Sequence, residues 1–124
     1  MRILRFDDAP EFELAGARVR GLASPSRGAT ETTMYRVELG PGLRLQKHTH
    51  DHEEVFHVLE GSATAVLDGV EQLVAAGDTA MIPPGVEHHA FTGEGETAVF
   101  LATMPTGTVM IRPDGERVLP PWAE

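Results

Sequence analysis

The sequence predicts an all-β protein whose short antiparallel strands close into a barrel, and three observations carry that expectation. Thirteen glycines and nine prolines interrupt short runs of Val, Leu, Thr and Phe, so no segment keeps a helical apolar period for long. The runs recur at close, even spacing, as the strands of a sandwich or barrel do. One interruption, Asp68-Gly69, separates ATAVL from VEQLV. Glycine there tolerates the positive φ of a tight hairpin turn, so the two runs are expected to pair.

Taken in order, residues 1–30 mix charges with Pro10, Gly21, Pro25 and Gly28 and are expected to form one or two outer strands and a loop. Strands are then expected at Thr32–Leu39, Leu43–His48, Glu53–Leu59, Ala63–Leu67, Val70–Val74, Thr79–Ile82, His88–Thr92 and Thr97–Met104. Most are apolar or β-branched runs between turn formers. Residues 105–124 hold a turn at Pro113-Asp114-Gly115 and a short strand before Pro120-Pro121. With 124 residues and no internal repeat, the chain 1–124 is expected to be one domain.

The net charge of -9 argues against nucleic acid and anionic membranes as partners, because no basic stretch is available to displace counterions. No apolar run approaches the ~18 residues of a membrane span. Charges also fall within Met1 to Asp8, where a secretory leader needs apolar residues, so a cytoplasmic location is expected. Cysteine is absent. Any metal must therefore be held by histidines and carboxylates.

All six histidines fall between positions 48 and 89. On an extended chain, residues two apart share a face, so His48 and His50 can chelate one ion together. Glu54 has the same parity, and a turn through 49–53 brings its carboxylate back toward that centre. His88, just after a Pro-Pro-Gly turn, is the candidate from a distant strand. His52 shares the parity of His50 but reads best as a loop residue beside the site, while His57 and His89 have opposite parity and should point away from the interior. The same alternation places Arg44 and Gln46 on the metal side of their strand, with Phe56, Val58, Met81 and Ala90 lining an apolar cavity. Arg44 is then a candidate clamp for a substrate carboxylate.

These residues carry a family resemblance. Gly42, His48, His50, Glu54 and Gly61 resemble the first cupin motif. Gly77, Pro83, Gly85 and His88 resemble the second, with Thr92 where that motif has Asn. Together they span residues 42–92, in blocks at 42–61 and 77–92. The resemblance implies a double-stranded β-helix, or jelly roll, with one divalent transition metal per chain (Fe, Mn, Ni, Cu or Zn) on His48, His50, Glu54 and His88. Such a site, with positions left open for water, O₂ or substrate, suits a small-molecule enzyme. A dioxygenase acting on an enolisable or carboxylate-bearing substrate leads, with Glu54 as a general base. A redox-neutral isomerase, lyase, decarboxylase or cyclase is the alternative, and a non-catalytic ligand-binding domain a second. The outward row Val55, His57, Leu59 and the resemblance to other small cupins imply a homodimer.

Overall fold

The computed structural model covers residues 1–124. Its strands are β1 (Glu11–Leu14), β2 (Ala17–Ala23), β3 (Thr32–Leu39), β4 (Thr49–His50), β5 (Glu54–Leu67), β6 (Val70–Ala75), β7 (Thr79–Ile82), β8 (His88–Phe91), β9 (Ala98–Pro105), β10 (Met110–Ile111) and β11 (Arg117–Val118). The only helical pieces are single 3-10 turns, and no helix is long and apolar enough to cross a membrane. Neighbouring strands all run antiparallel. They follow the order β1-β2-β3-β9-β5-β6, with β7 and β8 also on β5, and a small sheet β11-β10-β4 lies apart. This is the all-β jelly-roll barrel expected from the sequence.

Two of the expected strands, Glu53–Leu59 and Ala63–Leu67, are one. β5 runs unbroken from Glu54 to Leu67, pairing in its first half with β7 and β9 and in its second half with β6 and β8. One strand thus serves both walls of the barrel. The change of direction follows a bulge between Val58 and Glu60 and falls at Gly61, whose φ is 73°. A Cβ at Gly61 would lie 1.9 Å from the Thr97 carbonyl oxygen, so only glycine lets β5 turn this closely against β9. At the far end, Leu67 pairs with Val70 across Asp68 (φ 49°) and Gly69 (φ 78°), the tight turn read from the sequence.

The expected strand Leu43–His48 does not form. Two isolated bridges, Arg44 with Phe91 and His48 with His88, lie at the two ends of β8, with backbone bonds from Leu45 N–H to Ala90 and from Thr92 N–H to Leu43 beside them. Three residues separate Arg44 from His48, and two separate His88 from Phe91. The unequal spacing is a bulge, which reverses the side-chain parity between Arg44 and His48.

Inside, Val58, Ile82 and Leu39 are almost fully buried, alongside many small residues such as Ala17, Ala63, Ala98 and Ala102. Small residues at inward positions leave space that larger ones would fill. The result is a cavity of about 620 Å³ whose wall includes Val19, Val37, Phe56, Ala63 and Phe100. The 3-10 turn Pro121–Ala123 closes one side of it. Trp122 packs there against Tyr35 and Phe12, with ring centroids 6.0 and 6.2 Å apart.

Candidate metal centre

Three histidines meet at the polar end of this cavity. His50 sits on β4, tied to the turn before β8 by the Gly85 N–H bonded to its carbonyl. His88 opens β8, and His48 faces it with backbone N–H···O bonds in both directions. Asp51 clamps the β4 end of the site: its carboxylate accepts from the Val109 N–H at 2.9 Å and from Arg117 at 3.2 Å. The chain distance from His50 to His88 is thereby closed by sheet pairing alone.

The three rings lie 4.4 to 5.1 Å apart centre to centre. One ring nitrogen from each falls within 4.8 Å of the other two. His48 Nδ1 donates to the Gln46 carbonyl (2.8 Å) and His88 Nδ1 to the Val86 carbonyl (2.9 Å). Those bonds put the proton on Nδ1 and turn the Nε2 lone pair inward. His88 Nε2 and His50 Nδ1 are buried and have no hydrogen-bond partner. Burial, chiefly, lowers the pKa of His50 to about 3 and of His88 to about 4, and lowers that of His48 as well. Three neutral imidazoles with converging lone pairs, two of them otherwise orphaned, are what a divalent transition ion requires.

Glu54 stands at the edge of this group. One carboxylate oxygen is 3.8 Å from His50 Nδ1 and the other 3.9 Å from His88 Nε2. With both rings neutral these contacts are not ion pairs. Burial raises the Glu54 pKa to about 7, opposed by a hydrogen bond that Tyr35 donates to Oε2. Tyr35, buried in β3, is itself pushed well above its usual range by burial and by Glu54.

Two residues here escaped the sequence reading. Tyr35 is the single tyrosine of the chain and shares the inward parity of Thr33, Val37 and Leu39, a signal that was there to find. Trp122 had none, because its place depends on where the C-terminal segment docks.

The structure places the other expected residues as follows. Phe56 is buried in the cavity wall, its ring 5.4 Å from that of Phe100. Met81 is not in that wall: it is 66% exposed. Glu54 pairs with Ile82 and Val55 with Met81, so an inward Glu54 forces Ile82 inward and Met81 outward. Arg44 and Gln46 are exposed rather than inward, since the bulge gives the inward positions to Leu43 and Leu45, but both still border the cavity. The Arg44 guanidinium lies 4.2 Å from the Phe91 ring centre and 3.1 Å from His89 Nε2, and His89, expected to point away, is buried and borders the cavity with it. His52 is exposed and bonded to Asp51, and His57 to Thr79. Thr92, where the motif has Asn, bonds the Leu43 N–H and the Gly40 carbonyl and so anchors the loop leading to His48.

A family model described as "Cupin domain" matches residues 35–104. The chain is 39% identical over 57 residues to the dimethylsulfoniopropionate lyase DddW of Ruegeria pomeroyi, a match covering 46% of this chain and 38% of that protein. The aligned part is thus well under half of that relative's length. Among solved structures, the polyketide cyclase RemF from Streptomyces resistomycificus is similar with a TM-score of 0.78 and 27% identity, over 96% of this chain and 82% of that one. KdgF from Halomonas sp. shares the fold with a TM-score of 0.71 at 18% identity, over 85% of this chain and 94% of that one.

Proposed function

The chain belongs to the cupin family, and from that premise we propose that it is a redox-neutral, metal-dependent enzyme that moves a proton next to a carbonyl group. The observation that carries this reading is the Tyr35–Glu54 pair, buried beside the histidine triad where the apolar cavity ends. His48, His50 and His88 would hold one divalent transition ion, with Glu54 adjacent. Such an ion, when bound, supplies Lewis acidity toward a substrate oxygen.

The rest is done by the chain's own residues. Glu54 takes a proton from the carbon next to the carbonyl. The C–H bond breaks, its electron pair passes into the enolate, and the carboxylate becomes a carboxylic acid. Tyr35 donates to Oε2 and so leaves Oε1 as the accepting atom. The apolar wall keeps competing water away from the enolate. Returning the proton at another carbon gives isomerisation. Attack of the enolate carbon on a second carbonyl of the same ligand closes a ring, its C=O π bond breaking and the proton passing to the new alkoxide. Loss of a leaving group from the β-carbon with its electron pair gives elimination. No oxidant enters this balance. Lyase and cyclase activities in the names of the relatives DddW and RemF support this class over the oxygenase expected from the sequence.

The test is solvent deuterium incorporation into an enolisable ketone, β-tetralone, followed by NMR under anaerobic conditions on metal-loaded protein. Wild type should exchange the α-position. Glu54→Gln should slow exchange by roughly 10²- to 10⁴-fold, and Tyr35→Phe by less, with elemental analysis showing metal retained in Tyr35→Phe. Oxygen consumption without anaerobic exchange would return the dioxygenase reading.

A further inference from the structure

We infer that the substrate of this site is a neutral, flat, multi-ring ketone rather than a small carboxylate. The inference rests on the proton-transfer reading above and adds to it the class of molecule that the cavity takes. Its volume of about 620 Å³ lies in the middle of the range of roughly 300 to 1,000 Å³ occupied by pockets for drug-sized ligands. A three-carbon oxo acid would fill a small part of that space and leave apolar wall in contact with water.

The wall favours rings. Tyr35 and Trp122 form one tilted aromatic pair and Phe56 and Phe100 another, and all four border the cavity. Aromatic faces and edges pack well against a flat ring system. The triad, Tyr35 and Glu54 form one polar cluster in a wall that is otherwise mostly hydrophobic, so one oxygenated edge of a ligand is addressed there and much of the remainder meets hydrocarbon.

The guanidiniums that border the cavity, Arg44 and Arg112, already have partners. The Arg44 guanidinium is engaged with Phe91 and His89. Arg112, also at the cavity wall, is bonded to Glu116 at 3.1 Å. A second charged group on the ligand would therefore have to compete with these contacts or be buried unpaired, which is unfavourable. The chain's charge of -9 repels anions at longer range as well.

The single tryptophan of the chain, Trp122, borders the cavity and reports binding directly. Zinc-loaded protein is titrated with anthrone, a neutral tricyclic ketone that enolises, and separately with pyruvate, each followed by Trp122 fluorescence and by calorimetry. Anthrone should quench Trp122 and bind at least about 100-fold more tightly than pyruvate, a difference of roughly 2.7 kcal/mol. Ala63→Phe, which places a ring in the cavity, should abolish anthrone binding while zinc content is unchanged. Ala63→Leu serves the same purpose if the larger change fails to fold. Pyruvate binding as tightly as anthrone, or anthrone binding undiminished by the cavity-filling variant, would overturn the inference. Zinc bound stoichiometrically in that case, with deuterium exchange intact, would leave the proton-transfer reading standing. Loss of exchange in protein that binds anthrone would remove that reading instead.

Discussion

His50 and His88 are held neutral in the folded chain by burial, and in metal-free protein this sets how stability responds to pH. Their pKa values of about 3 and about 4, with that of His48 lowered too, lie below the ordinary 6.5. Below about pH 6.5 the unfolded chain binds protons that the folded chain refuses. The histidine contribution to stability therefore falls as pH falls, until the folded values near 3 to 4 are reached. Glu54 acts in the opposite sense. Raised from 4.5 to about 7, it holds a proton in the folded state that the unfolded chain lacks, so its contribution grows as pH drops from about 7 to 4.5. Three histidines outweigh one carboxylate below about pH 6. The urea midpoint of chelator-treated protein should decline between pH 6.5 and 4.5, and a midpoint that rises through that window would contradict the assignment of neutral, buried rings.

At the scale of elements, β5 decides whether the two walls meet. Its corner at Gly61 combines a φ of 73° with a carbonyl oxygen 1.9 Å from any added Cβ, whereas Gly77 has a φ of 95° and open space around it. Both glycines answer to backbone strain, but only Gly61 also answers to packing. Gly77→Ala should cost about 1 to 2 kcal/mol, the usual penalty of a left-handed conformation. Gly61→Ala should cost more than about 3 kcal/mol, since β9 must move as well. Urea unfolding of both variants beside the wild type measures the difference, and equal costs would show that the corner relaxes without disturbing β9.

For the whole molecule, the outward face of the larger wall is the feature that calls for a partner. Val55 pairs with Met81 and His57 with Leu101 across it, with Met81 66% and Leu59 42% exposed. Exposed apolar side chains clustered on a sheet face are a liability in a monomer. The correction of Met81 enlarges that cluster, since a residue first assigned to the cavity joins it. Sedimentation equilibrium at tens of micromolar is expected to give twice the 13.4 kDa chain mass, and Met81→Glu to shift the protein toward monomer. A monomeric wild type would end this expectation.

The sequence by itself determined the all-β class, the Asp68-Gly69 hairpin, the β3 and β7 limits and the histidine triad. Each depends on residues close along the chain or on glycine and proline, whose backbone preferences act locally. His88 was found because it follows a local turn, even though its partners lie far away. The inward orientation expected of Arg44 and Gln46 and the cavity position expected of Met81 failed for a different reason. Alternation predicts a face only while the register is unbroken, and one extra residue between Arg44 and His48 reverses it. Which side of β7 faces inward was likewise decided by the pairing of Ile82 with Glu54. The inward face of Tyr35 was legible in the alternation of β3, but its contact with Glu54, like the place of Trp122 at the cavity wall, was decided only when β3, β5 and the C-terminal segment closed around the same space.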